Sequence, residues 1–195
     1  MRSYSLASVP QLDVSLEIHV RRQENGKLSN WIHDAIRQGD EVEFMGPFGE
    51  CFYQSGHSDE KLLLIGTGTG LAPLIGIVRD ALQSGHRGEI VLYHGSRNSS
   101  GLYQQDKLNE LAGKHANFHY VPCLSGQVVA DGYTAGRVNT VAFSEHPDLK
   151  GARLYLCGQP EMVHDAKKTA YLNGAALDHI HADAFEMADL RKKPR

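Results

Sequence analysis

Gly66, Thr67, Gly68, Thr69 and Gly70 alternate bare backbone with hydroxyl side chains between two apolar runs. At a strand-to-helix turn the first amides of the helix lack internal acceptors, and glycines let an anion reach them. A pyrophosphate fits such a turn. Thr67 and Thr69 can add hydroxyl donors, and Pro73 suits a first helical turn where its missing N–H costs nothing. A phosphate-binding P-loop would need Gly-Lys-Ser/Thr, but Leu71 and Ala72 follow Gly70. The usual dinucleotide fingerprint GxGxxG is also unmatched, because Leu71 stands at its third glycine. The next strand, moreover, ends His94-Gly95-Ser96-Arg97 with no acidic residue for a ribose diol. A purely conformational turn is the remaining alternative, and three glycines alternating with threonines weaken it.

The elements that must position this turn fall into two patterns within 195 residues, enough for one large or two small domains. Leu12, Val14, Leu16, Ile18 and Val20 alternate with polar residues, the period of a half-buried strand. A turn and a short helical piece over 28–37 follow, and then GDEVEFMGPFGECFY, where Val42 and Phe44 alternate again. Short antiparallel strands with a helical plug predict a small barrel. After QSGHSDE the rhythm changes to strand and helix in turn, with strands expected at 61–65, 89–94, 118–122, 153–157 and 179–184. Leu74, Ile77, Val78, Ala81 and Leu82 lie at helical spacing, and Gly85 stands where a helix stop belongs. The fold class is therefore β plus α/β: an antiparallel barrel over 1–58 and a parallel-sheet nucleotide domain over 59–195, with right-handed crossovers.

Composition excludes other classes. A net charge of −3 with 22% charged residues offers no basic field for nucleic acid. Cys51, Cys123 and Cys157 form no CxxC pair, which excludes a zinc knuckle or a four-thiolate cluster built from this chain alone and points to reduced thiols. No run approaches the roughly 20 apolar residues of a membrane span, and the first residues lack a signal-peptide core, so a cytoplasmic protein is expected. The basic tail Arg191, Lys192, Lys193, Pro194 and Arg195 is assigned no function. His179 and His181 would share one side of a strand, but no third metal ligand is apparent nearby.

The set of an opening RSYS, then GTGTGLAPL, then LYLCGQPEMV, with GDEVEFMGPFG between the first two, resembles the ferredoxin–NADP reductase superfamily, in particular the reductase components of oxygenases. The resemblance implies FAD and NAD(P)H as cofactors, and an iron–sulfur protein or oxygenase as the electron-accepting partner. It places Arg2 on the flavin pyrophosphate, Tyr4 on the isoalloxazine face and Ser5 near the flavin N5. The residue types suit these roles: a planar guanidinium, an aromatic face and a hydroxyl. Gly26, Lys27, Leu28 and Ser29 resemble a second flavin-phosphate contact at a helix start, with a simple capped turn as the alternative. Gly66 to Gly70 take the nucleotide pyrophosphate, while Cys157, Gly158 and Pro160 mark the approach of nicotinamide. A buried structural cysteine is the alternative for Cys157. Phe185 corresponds to a residue against the opposite flavin face, or to core. Ser96 and Arg97 sit where the adenosine ribose is read, leaving NADH and NADPH both open. His19 and Arg21 flank the same flavin or are merely solvated.

Under this resemblance Tyr4, Ser5 and Cys157 are the candidate catalytic residues. Family barrels have strands ahead of RxYS, so an incomplete barrel with open edges is expected, and through those edges an oligomer. Two further readings compete with a flavin reductase. One is a non-catalytic NAD(P)-binding module without a competent flavin site. The other, a direct NAD(P) dehydrogenase, lacks both the fingerprint and the residues for a substrate domain.

Overall fold

The computed structural model describes residues 2–126 and 131–185; the basic tail lies outside the described residues. Its centre is a six-stranded, wholly parallel sheet in the order β4-β3-β2-β1-β5-β6. The strands are β1 (Lys61–Thr67), β2 (Ile90–Ser96), β3 (Phe118–Leu124), β4 (Thr134–Ala135), β5 (Ala152–Gly158) and β6 (Ile180–Ala184). Each of the five expected strands is found. Most run one or two residues longer at the carboxyl end than apolar character alone suggests, because a buried backbone continues its ladder through Gly66, Gly95 and Gly158.

Alternation along the strands builds a core on each face. Leu63, Ile65, Val91, Leu154 and Leu156 point to one side, toward α4 (Val138–Glu145) and α5 (Pro160–Leu172). Leu62, Leu64, Ile90, Leu92 and Tyr155 point to the other, toward α2 (Leu71–Gln83) and α3 (Gln105–Lys114). All of these strand residues are at most 4% exposed, which is why 62–65 in β1 and 154–157 in β5 read as apolar runs rather than alternating ones. Gly85 does end α2 in a left-handed conformation, φ 74°.

The chain moves outward from β1 through β2 and β3 to β4, then returns to the other side of β1 with β5. The β1/β5 junction is thus the point where strand order reverses, and a crevice opens beyond the carboxyl ends of those two strands.

Residues 2–58 differ. The helical piece is realised as α1 (Lys27–Asp34), shorter than expected. The alternating segments do not form strands: a single antiparallel bridge, Leu6 to Ile18, is the only pairing among these residues. Val14 is 108% exposed, Leu16 62%, Phe44 57% and Phe48 79%, so the expected core-facing side does not pack over residues 12–16 and 42–44, whereas Ile18 and Val20 are half-buried. A period of two specifies faces, but a strand needs a neighbour to satisfy its ladder, and among the described residues these segments find only the one bridge. What holds this segment to the sheet domain is local. Arg79 of α2 donates two hydrogen bonds to the Asp13 carboxylate at 2.7 and 2.9 Å, residues 6 and 7 cross α2 at Gly76, and Tyr53 is buried against the α2 face of the sheet.

Candidate functional site

The glycine turn lies at the carboxyl end of β1. Gly68 to Gly70 form one turn of tighter helix leading into α2, no side chain caps either start, and no acidic residue occupies the first turn. Its first amides are therefore uncapped by protein, with the positive end of α2 behind them, as an anion site requires. Gly68 adopts φ +55°. Pro73 is buried in the first turn of α2.

The fold brings the second motif against the first. A side chain on Gly70 would stand 2.6 Å from the Cys157 carbonyl carbon, closer still to its oxygen, and 2.8 Å from the Gly158 nitrogen. Gly158, φ +121°, approaches Thr67 as closely. The Thr67 hydroxyl accepts a hydrogen bond from the Gln159 amide at 3.0 Å, so it ties the two motifs together in addition to any role toward a ligand. The glycines thus serve a packing need the motif alone does not reveal. Pro160 opens α5, whose start also lacks a side-chain cap.

Three further elements meet here. The Phe185 amide donates to the Gly158 carbonyl at 2.8 Å, placing this half-buried ring at the same strand ends. Ser5 donates to the Asp183 carboxylate at 2.5 Å, joining the RSYS motif to the end of β6. Tyr4 is half-buried, and burial raises its phenol above the ordinary range, with the Arg2 charge opposing. Arg2 itself is exposed. Ser96, half-buried, is the last residue of β2, and Arg97, exposed, follows it.

The turn at α1 is braced by its own side chain. The Ser29 hydroxyl accepts from the Gln23 amide at 3.2 Å and donates to the Gly26 carbonyl at 3.3 Å, so it braces the turn itself. The α1 start has no side-chain cap, and Lys27 is exposed beside half-buried Leu28. Its backbone suits a phosphate, whereas the Ser29 side chain is otherwise engaged.

Asp183, His94 and Cys51 escaped the motifs, and Arg21 was expected only as a flank of the flavin. Asp183 could have been suspected from its place at a strand end, and Arg21 approaches Gly68, its guanidinium 3.9 Å from where a Gly68 side chain would begin. His94, wholly buried in β2, lies 3.3 Å from the Gly68 carbonyl and 3.4 Å from the Tyr120 hydroxyl, and burial depresses its pKa to about 4. A neutral ring therefore braces the glycine turn from below. Cys51 lies 3.4 Å, sulfur to sulfur, from Cys157, a contact across 106 residues that no local signal could foretell. Cys157 is fully buried; burial, then Cys51, raise its thiol pKa. His19 is hydrogen-bonded to Tyr103 at 2.7 Å and Glu17 at 2.9 Å. His179 sits in a turn before β6, so it does not share a strand face with His181, which stacks on Tyr155 with ring centres 5.0 Å apart.

Fold and site define an oxidoreductase nucleotide domain preceded by a flavin-binding segment. The oxidoreductase NAD-binding domain model matches residues 64–168, and the oxidoreductase FAD-binding domain model matches residues 1–53. The chain belongs to the ferredoxin–NADP reductase superfamily, whose two domains take NAD(P) and FAD. It is 34% identical over 184 residues to the ferredoxin–NAD(P)(+) reductase component of the naphthalene 1,2-dioxygenase system of Pseudomonas putida, covering 94% of this chain and 56% of the relative. It is 38% identical over 191 residues to the reductase subunit of an aromatic O-demethylase of Amycolatopsis, covering 96% and 57%. The crystal structure of the Amycolatopsis reductase GcoB superposes with a TM-score of 0.86 at 36% identity, covering 94% of this chain and 56% of that one. The chain spans about half the length of the curated relatives it matches.

Proposed function

We propose that this chain is the flavin- and nucleotide-binding part of an NAD(P)H-dependent reductase that delivers electrons singly to an iron–sulfur protein or oxygenase. The supporting observation is the convergence of Gly66–Gly70, Cys157–Gly158, Phe185 and the Ser5–Asp183 pair at one strand-end crevice. Bound FAD would supply the change from two-electron to one-electron chemistry. The chain's residues bind and orient. Amides of Gly68 to Gly70 hold the nucleotide pyrophosphate, with Thr67, Thr69 and Pro73 shaping the turn and Ser96 and Arg97 beside the ribose. Arg2 and the backbone of Gly26 to Ser29 hold the flavin phosphates, Tyr4 covers one ring face, and Phe185 flanks the other. Ser5, oriented by Asp183, presents its hydroxyl to the reacting ring edge. Cys157, Gly158 and Pro160 set how closely nicotinamide approaches. Positioning of this kind is where the protein's rate enhancement arises. The division into two units falls near residue 58, and the cytoplasm is the compartment we infer.

A second reading, a nucleotide-binding module without a competent flavin site, is favoured by the segments at 12–16 and 42–48, which pair with no strand and expose apolar side chains. Visible absorption separates the two. The chain is mixed with FAD, freed of excess, and treated anaerobically with NADPH or NADH. Retained flavin that bleaches supports the reductase, and the faster reductant gives the preference. Flavin lost while nucleotide still binds supports the module.

A further inference from the structure

Cys51 and Cys157 are both free thiols, and nothing in hydride transfer requires Cys51. Their sulfurs stand 3.4 Å apart, and a disulfide at about 2.05 Å needs only a small approach. The two sides differ in access and constraint. Cys157 is fully buried at the end of β5, paired in register with Gly66 of β1, and cannot meet an oxidant directly. Cys51 is half-buried on irregular backbone and packs on the core of the α2 face. Nearby, the Gln54 amide donates to the Tyr155 hydroxyl at 3.3 Å. The movable partner is therefore the reachable one. Cys123, the remaining cysteine, is buried on the other face and lies in a different core.

We propose that Cys51 and Cys157 are a modification site: a thiol pair that hydrogen peroxide converts to an intrachain disulfide. The Cys51 sulfur attacks the O–O bond, forming a sulfenic acid and releasing one water. The Cys157 sulfur then displaces the sulfenic oxygen, which leaves as a second water as the S–S bond closes. Two thiols lose two electrons and two protons, and hydrogen peroxide takes them up. Burial, then Cys51 and the Asp183 carboxylate, hold the Cys157 thiol in its protonated form. Cytosolic disulfides of this kind are commonly redox-responsive. The bond would anchor residues 50–54 to the end of β5, beside the glycine turn. Its functional consequence rests on the reductase reading: a fixed Cys51 segment narrows the place where nicotinamide must approach.

The test treats the full chain with hydrogen peroxide at several pH values and reads intact mass and disulfide-linked peptides, then reverses with dithiothreitol. The expected result is a loss of about 2 Da, a Cys51–Cys157 linked peptide, and recovery on reduction. The same loss is expected in C123S and none in C51S; because Cys157 is wholly buried, C51S rather than a Cys157 variant decides. Oxygen added to Cys51 with no linked peptide, or a bond only between two copies, overturns the proposal. This readout needs no flavin, so it stands apart from failure of the reductase reading. In flavin-loaded protein, NAD(P)H-dependent ferricyanide reduction should fall about tenfold on oxidation and recover with dithiothreitol, and C51S should not respond. A linked peptide with unchanged activity overturns the effect on the crevice.

Discussion

The sheet domain and the segment before it use the same apolar residue types with opposite outcomes. In residues 61–67 the side chains of Leu62, Leu63, Leu64 and Ile65 are at most 1% exposed. In residues 12–18, Leu12 is 38% exposed, Val14 108% and Leu16 62%. The difference is one of partners. β1, β2 and β5 are each followed by a helix that leads to a hydrogen-bonded neighbour, so these βαβ units complete their own ladder and core. An antiparallel strand with alternating faces depends on strands from elsewhere, and the residues here offer one bridge.

Truncation should separate the regions most sharply. Leu64→Ala should cost about 2–5 kcal/mol of unfolding free energy in urea, while Leu16→Ala should stay within about 0.5 kcal/mol; equal losses would show that residues 12–18 are packed in solution. Acid should act mainly through the sheet domain. His94 is buried neutral with a pKa near 4 against the ordinary 6.5, so the unfolded chain binds its proton first as pH falls. Stability is then lost between pH 6.5 and about 4, by about 3 kcal/mol. His94→Gln should flatten that part of the stability–pH curve.

Smaller effects probe the contacts that join regions and motifs. Gly70→Ala places a methyl against the backbone of Cys157 and Gly158. Overpacking of this kind should cost about 1–3 kcal/mol, and titration calorimetry should find NAD(P) affinity reduced roughly tenfold. Asp13→Asn removes the charge facing Arg79, whose pairing holds the Asp13 carboxyl below its usual range. Limited proteolysis before residue 58 should speed up about twofold with the far-ultraviolet dichroism unchanged. An unchanged cleavage rate would mean that Gly76 and Tyr53 hold the segment without the ion pair.

Much of this protein is legible in one dimension. Unbroken apolar strands, helical spacing from Leu74 to Leu82 and the bare turn at Gly66–Gly70 are local patterns, and local hydrogen bonding and burial enforce them. They specify the parallel sheet, its order of elements and the uncapped glycine turn at one end of β1. The sequence pattern also marks strand faces at 12–20, but pairing is a relation between segments, and period two cannot supply the missing neighbour. The remaining assignments are contacts at long range. That Gly70 must be glycine because Cys157 lies against it, that Ser5 meets Asp183, that His94 braces Gly68 and that two thiols 106 residues apart nearly touch are decided by how the sheet closes. Distances across a fold depend on every intervening turn, so tertiary packing alone determines them.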